Sequence, residues 1–155
     1  MDPAKTTPRR RARAVALQVL YAMEGLEDAD PGVALAAHLR EFGDAEDDSD
    51  GDAQERAFDE KLTATLVRGV WAHRDELDEI LARLSQNWRV ERLARVDRNV
   101  LRIALYELAH CQADVPARVA INEAVELAKC FGSEEAPAFV NGLLDAALGL
   151  LGVTP

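Results

Sequence analysis

Apolar residues recur along the chain with the spacing of α-helices. The first run consists of Val15, Val19 and Met23, at intervals of four residues. Thr7 and Pro8 precede it, and such a pair is typical of a helix start, because threonine caps free N–H groups and proline has no N–H to satisfy. Gly25 follows the run and is typical of a helix end. The pattern predicts a first helix from Pro8 to the residue before Gly25.

The same signals predict further helices and no strand. They run from about residue 31 to 43, 54 to 84, 97 to 111 and 117 to 131, and from about residue 137 onward, with a turn at 85–95. Residues 97–111 are apolar on most of the helix circumference, which predicts a buried, central helix. The chain is therefore predicted to be all-α, with six or seven helices.

Charge is distributed unevenly along the 155 residues, whose net charge is −10. Residues 1–13 contain five basic side chains against one acidic one, whereas residues 41–60 contain ten acidic side chains against one arginine. We expect a flexible arm at residues 1–7 and an acidic, mobile loop at residues 43–53, which lack helical periodicity. A basic arm on an acidic body attracts a polyanion locally and repels it elsewhere.

Composition excludes several classes of protein. Hydrophobic residues make up 48% of the chain, which is too many for a wholly disordered protein. The two cysteines, Cys111 and Cys130, cannot form a disulfide-rich secreted scaffold. No apolar run approaches the roughly 20 residues that a membrane span requires. We expect a cytoplasmic protein with reduced thiols.

Signals for enzymatic or metal chemistry are weak. No nucleotide-binding glycine loop or nucleophile motif is present, so no catalytic residue and no cofactor are predicted. Glu107 and His110 have the Glu-x-x-His spacing of di-metal bundles, but a second such pair is missing, which favours a partly exposed histidine at a helix end. His110, Cys111 and Cys130 lack metal-ligand spacing, so no metal site is predicted. Residues 73–79 are predicted to be a solvated face, with Arg74 pairing with Asp78.

Four arginines on the first turns of the first helix are the strongest binding signal. They are Arg9, Arg10, Arg11 and Arg13. Guanidinium groups match phosphate oxygens and stack on bases, which favours nucleic acid, and RNA over duplex DNA. The alternative is a solvated basic end that only improves solubility. Phe139 opens a later helix and either stacks on a base or belongs to the core.

Three segments together resemble the NusB family. They are RRRARAVALQVLYAME, VLRIALYEL and DVPARVAINEAVELAKCFGSEEAPAFVNGLLD. The resemblance implies two small packed helix bundles in one RNA-binding domain covering residues 1–155. It implies binding to boxA, a single-stranded element of ribosomal RNA transcripts, together with the small-subunit ribosomal protein NusE. It also implies assembly with other Nus factors on RNA polymerase, read-through of termination signals, and no catalysed reaction.

The resemblance also assigns roles to individual residues. RNA binding falls on Arg9, Arg10, Arg11, Arg13, Phe139 and Asn141; partner binding falls on Tyr21 and Asp97; and Glu135 lies in a loop that tunes RNA affinity. Two other interpretations stay open: a helical protein-interaction module without sequence-specific RNA binding, and a metal-dependent helical-bundle enzyme. The oligomeric state is also open, because an apolar partner-binding face can pair with itself in a homodimer.

Overall fold

The chain is described by a computed structural model over residues 7–43, 58–85 and 93–155. All regular secondary structure in these ranges is α-helical, which confirms the predicted all-α fold. The helices are α1 (Pro8–Glu24), α2 (Pro31–Gly43), α3 (Glu60–Ala72), α4 (Arg74–Leu84), α5 (Arg95–His110), α6 (Ala117–Phe131) and α7 (Ala136–Leu151). None of them combines the length and apolar character that crossing a membrane requires.

Three sequence predictions concern residues that the structure does not describe. The predicted flexible arm lies outside the described residues except for Thr7. The predicted acidic loop lies outside them except for Gly43, which ends α2. Most of the predicted turn at 85–95 falls on residues 86–92, which also lie outside.

Capping side chains define where three of the helices begin. Thr7 Oγ1 accepts a hydrogen bond of 3.1 Å from the N–H of Arg10, so α1 begins as predicted. Asp30 and Asp59 cap α2 and α3 in the same way, with oxygen–nitrogen distances of 2.9 and 3.0 Å. Each such cap contributes about 1 kcal/mol to stability.

The single long helix predicted from about residue 54 to 84 is wrong. The structure has two helices there, α3 and α4, which are separated at His73 with φ −106° and ψ 17°. No glycine or proline marks this break, and the apolar stripe continues across it, so periodicity alone does not reveal it. Asp75 and Glu76 lie in the first turn of α4, where the helix dipole favours acidic side chains.

The first of two compact units extends to Trp71 and contains α1, α2 and nearly all of α3. Two hydrogen bonds connect α1 with the segment around the start of α3. The Asp59 N–H donates to the Pro8 carbonyl at 3.1 Å, and the buried Thr63 hydroxyl donates to the Ala12 carbonyl at 3.0 Å. Buried apolar residues of this unit include Ala12, Ala16, Leu17, Leu20, Met23, Leu35, Leu66, Val67 and Val70.

The second unit begins at Ala72 and contains α4 to α7. Helix α5 is buried along most of its length, as its apolar circumference predicts. Its Arg102 is only 7% exposed, and its guanidinium Nε and Nη2 atoms donate to the two carboxylate oxygens of Asp78 on α4, both at 2.8 Å. The sequence pattern predicts a pair of Asp78 with Arg74 and does not reveal this pair with Arg102. The bidentate pair joins α4 to the central helix.

Candidate nucleic-acid interface

The four predicted RNA-binding arginines of α1 differ in burial. Arg9 is exposed, and Arg10 and Arg11 are half-buried. Arg13 is only 3% exposed, and Ala16 and Leu17, which lie three and four residues later on the same side of the helix, are buried with it. Arg9, Arg10 and Arg11 are therefore the guanidinium groups of this motif that a polyanion in solvent can reach.

The start of α1 concentrates positive potential. The first turn of this helix contains no acidic residue. The N-terminal end of a helix carries roughly half a positive charge and attracts anions. A basic cluster at this position is unfavourable for the isolated helix and becomes favourable when a phosphate lies between the cluster and the helix end. We name Arg9, Arg10 and Arg11 the arginine cluster.

The predicted partner-binding face lies farther along the same helix. Tyr21 is 44% exposed, which is unusual for a large aromatic side chain and is typical of a residue available to a partner. Gln18 and Ala22 beside it are exposed, and Val15 and Arg11 are half-buried on the same side. The opposite side of α1 forms core. One helix thus carries the arginine cluster and the face around Tyr21.

Asp97 lies in the second unit, in the first turn of α5. Its Oδ1 atom is buried and has no hydrogen-bond partner among the described residues. Burial raises the pKa of this carboxyl above its usual value, because water is withdrawn from the charged form. A Cβ atom on Gly132 would lie 3.0 Å from this oxygen, so the glycine allows α6 to end close beside Asp97.

The other predicted residues of the second unit lie at the start of α7. Glu135 is exposed and occupies the position before the helix, and its carbonyl accepts a hydrogen bond of 3.3 Å from the N–H of Phe139. Phe139 is half-buried, and Asn141 is exposed. Val140 between them is fully buried. The FVNG segment thus presents Asn141 and part of Phe139 to solvent.

The structure thus places the predicted residues in two groups, one in each unit. The first group comprises the arginine cluster and Tyr21 on α1. The second comprises Asp97 on α5 with Glu135, Phe139 and Asn141 around the start of α7. Each group combines a predicted RNA contact with a predicted partner contact.

The structure does not bring together the residues of either possible metal-binding pattern considered in the sequence, Glu107 with His110 or His110 with the two cysteines. Glu107 is 1% exposed, and His110 instead directs its Nε2 atom to Glu76, on another helix, at 3.2 Å. Among the described residues, Cys111 and Cys130 form no disulfide, and neither belongs to the group of potential metal ligands found there. Sequence reasoning missed the approach of His73 and Glu76 to His110. The His-x-x-Glu spacing at 73–76 was a visible signal, but its third member is 34 residues away.

Comparison with known proteins agrees with the resemblance in the sequence. The NusB family profile matches residues 10–148. A transcription antitermination protein NusB from Geotalea uraniireducens is 43% identical over 143 residues, which cover 92% of this chain and 95% of the relative. The NusB protein of Myxococcus xanthus is 46% identical over 137 residues, covering 88% and 91%.

Solved structures agree as well. The T. maritima NusB structure superposes with a TM-score of 0.73 at 34% identity, covering 91% of this chain and 90% of that one. A crystal structure of antitermination factors NusB and NusE in complex with dsRNA superposes with a TM-score of 0.69 at 28% identity, covering 91% and 96%. The family resemblance predicted from the three sequence segments is confirmed: this chain belongs to the NusB family.

Proposed function

We propose that this chain is a transcription antitermination factor that binds the boxA element of ribosomal RNA transcripts together with the ribosomal protein NusE. The complex joins other Nus factors on RNA polymerase and promotes read-through of termination signals. Membership in the NusB family supports this function. The observation that carries it for this chain is the accessible arginine cluster at the capped start of α1, in a protein that is otherwise strongly acidic.

The arginine cluster supplies the affinity for RNA. Forked guanidinium donors bind phosphate oxygens, and release of counterions makes this binding dependent on salt. Because the whole chain has a net charge of −10, attraction is confined to the basic region, and non-specific binding elsewhere is suppressed. Asn141 and Phe139 supply the contacts to bases: the amide reads a base edge, and the aromatic ring stacks on an unpaired base.

Tyr21 and Asp97 supply the contacts to NusE. The exposed tyrosine offers a large, rigid surface with a polar tip. The aspartate offers a carboxylate that is partly withdrawn from water in the free protein, so a hydrogen-bond donor from NusE would stabilise it. Neither role involves a chemical step, so we propose that the protein binds and assembles and does not catalyse a reaction. We place this action in the cytoplasm, where transcription occurs.

The test is a gel-shift titration of the full chain with a boxA RNA, a scrambled RNA of equal length and an RNA duplex, each with and without NusE. We expect tighter binding to boxA than to the scrambled RNA and the duplex, and a further gain when NusE is present. Equal binding to all three RNAs would contradict sequence-specific recognition. Binding to NusE alone, without any RNA, would favour a helical protein-interaction module.

A further inference from the structure

Three potential metal ligands from two helices meet on the surface of the second unit. His73 and Glu76 lie at the start of α4, and His110 is the last residue of α5. Glu76 Oε2 is 3.0 Å from His73 Nδ1, and Glu76 Oε1 is 3.2 Å from His110 Nε2. The ligand atoms of all three residues lie within 4.8 Å of one another. Both imidazoles thus direct a nitrogen to the same carboxylate.

The rings of the cluster are held in place by stacking. The His73 and His110 rings stack with centroids 4.3 Å apart and an angle of 29° between their planes. The Tyr106 ring, one turn before His110, lies 5.2 Å from the His110 ring and 5.8 Å from the His73 ring. These contacts restrict the rotation of both imidazoles before any ligand binds, which reduces the entropy that binding must remove.

We propose that His73, Glu76 and His110 form a binding site for a divalent ion of the late first-row transition metals, with Zn²⁺ as the probe. Two imidazoles and one carboxylate are a donor set that zinc uses in proteins and that hard cations such as Mg²⁺ do not prefer. This site was not predicted from the sequence. It does not depend on the proposed function, because none of its residues is assigned to RNA or to NusE.

The distances suit a tetrahedral ion. Zinc lies about 2.0–2.2 Å from nitrogen and oxygen ligands, so two ligands of one tetrahedral ion are about 3.3 Å apart. The Oε2 atom of Glu76 lies 3.0 Å from His73 Nδ1 and 3.3 Å from His110 Nε2, so both distances to this one oxygen are already close to that value. Each histidine must present a lone pair at the nitrogen that faces Glu76, so the ring proton has to occupy the other ring nitrogen. The lone pair of each imidazole lies in its ring plane and the two rings are stacked, so the change of tautomer is accompanied by a rotation of the carboxylate and a tilt of the rings that open the position for the ion.

Partial exposure leaves room for the remaining coordination. The side chains of His73, Glu76 and His110 are 40%, 46% and 32% exposed. Solvent can therefore enter and supply a water molecule as the fourth ligand. A bound ion would join the first turn of α4 to the last residue of α5, so it would stabilise the folded protein by mass action.

The test is isothermal titration of the metal-stripped full chain with ZnCl₂, using two matched variants on α4. Glu76→Gln removes the proposed ligand and keeps nearly the same shape. Glu79→Gln removes another exposed acid, which pairs with Arg83 and lies outside the cluster. We expect one zinc ion per chain for the native protein and for Glu79→Gln, and at least about tenfold weaker binding for Glu76→Gln and for His110→Gln. Far-UV circular dichroism checks that each variant stays folded.

Cysteine thiols are the competing zinc ligands, so a variant with Cys111→Ser and Cys130→Ser is titrated in parallel. Unchanged zinc affinity in this variant would support the proposed ligands. So would a Co²⁺ complex of the native chain whose spectrum lacks thiolate-to-metal charge transfer. Loss of binding with the cysteines would overturn the proposal. So would absence of zinc binding by the native chain, because the cluster would then be a hydrogen-bonded link between α4 and α5 only.

Discussion

Asp97 shows how the surroundings of one side chain can disfavour its charge. Its Oδ1 atom is buried without a hydrogen-bond partner among the described residues, and desolvation raises its pKa. An ionised group in such a place lowers the stability of the free protein and gains when a binding partner supplies a donor. Residues of this kind are typical of binding sites.

The Asp97→Asn variant separates the effect of this carboxylate on the stability of the free protein from its effect on partner binding. Because the folded-state pKa of Asp97 is raised, the contribution of this carboxyl to stability decreases as pH increases from about 3.8 through the raised value, and the cost persists at neutral pH. We expect the substitution to abolish this loss in urea unfolding measured across that pH range. Binding to NusE should weaken in the same variant. Weaker binding combined with lower stability at pH 7 would identify Asp97 as a structural residue instead.

Burial also divides the arginines that the sequence presents as equivalent. Arg10 and Arg11 remain accessible, whereas Arg13 is almost completely buried. If the accessible pair binds phosphates, replacing both with alanine should weaken boxA binding and reduce the slope of log K against log salt by about 1.4, since each single-strand phosphate contact accounts for about 0.7.

The control for this double variant is Arg83→Ala, which removes an exposed arginine from α4. It should leave the salt slope unchanged. An unchanged slope in the Arg10→Ala, Arg11→Ala protein would show that the arginine cluster does not contact phosphate. Binding would then depend on other residues of the chain.

Among the secondary-structure elements, helix α1 has one side that packs in the core and an opposite side that is exposed to solvent. One side contributes Ala12, Ala16 and Leu20 to the core, and the opposite side presents Gln18, Tyr21 and Ala22 to solvent. If this exposed side binds NusE, as proposed, we expect substitutions there to change recognition with little effect on folding, because they do not remove buried contacts.

Tyr21→Asp tests that division. A charge in the centre of an interface is strongly unfavourable, so we expect NusE binding to weaken by more than about tenfold, measured by calorimetry. The helical signal in circular dichroism should be unchanged. Val119→Asp, which places the same charge at an exposed apolar position of α6, is the control and should leave NusE binding intact. Unfolding of Tyr21→Asp would place Tyr21 in the core.

The contact between α4 and α5 depends on the pair of Arg102 and Asp78. Because Arg102 is buried, removing its partner leaves a desolvated charge, and Asp78→Ala should lower the free energy of unfolding by about 2 kcal/mol. The neighbouring Glu79→Ala breaks an exposed pair and should cost about 0.3–0.5 kcal/mol. Urea unfolding of both variants gives the comparison, and equal effects would show that the buried pair does not hold α4 in place.

For the whole molecule, the sequence predicts where helices begin and end better than it predicts which residues of different helices come into contact. The predicted start of α1 after Thr7, the start of α2 at residue 31 and the end of α6 at residue 131 depend on local chemistry, and they are confirmed. The break at His73 carries no such signal. The burial of Arg13 and the approach of Glu76 to His110 depend on how helices pack, which periodicity along one helix cannot specify.

The same limit applies to the candidate site. Sequence segments suffice for recognition of the family, because they span most of the chain. They do not reveal that Asp97 lies beside the end of α6, where a Cβ atom at Gly132 would lie 3.0 Å from Asp97 Oδ1 and closer still to Ala136 and the Ala128 carbonyl. The roles of the individual residues in binding remain predictions that the variants above test.

The arginine cluster and Tyr21 lie on one continuous helix, so the angle between their directions around the helix axis is fixed by the number of residues between them. Each residue advances an α-helix by about 1.5 Å and about 100°. A single inserted or deleted residue between Arg11 and Tyr21 would therefore swing the tyrosine toward the core while the arginines kept their direction. If the arginine cluster binds RNA and Tyr21 binds NusE, as proposed, point substitutions can tune either contact separately, but the length of this segment can change only if both contacts are re-aligned together.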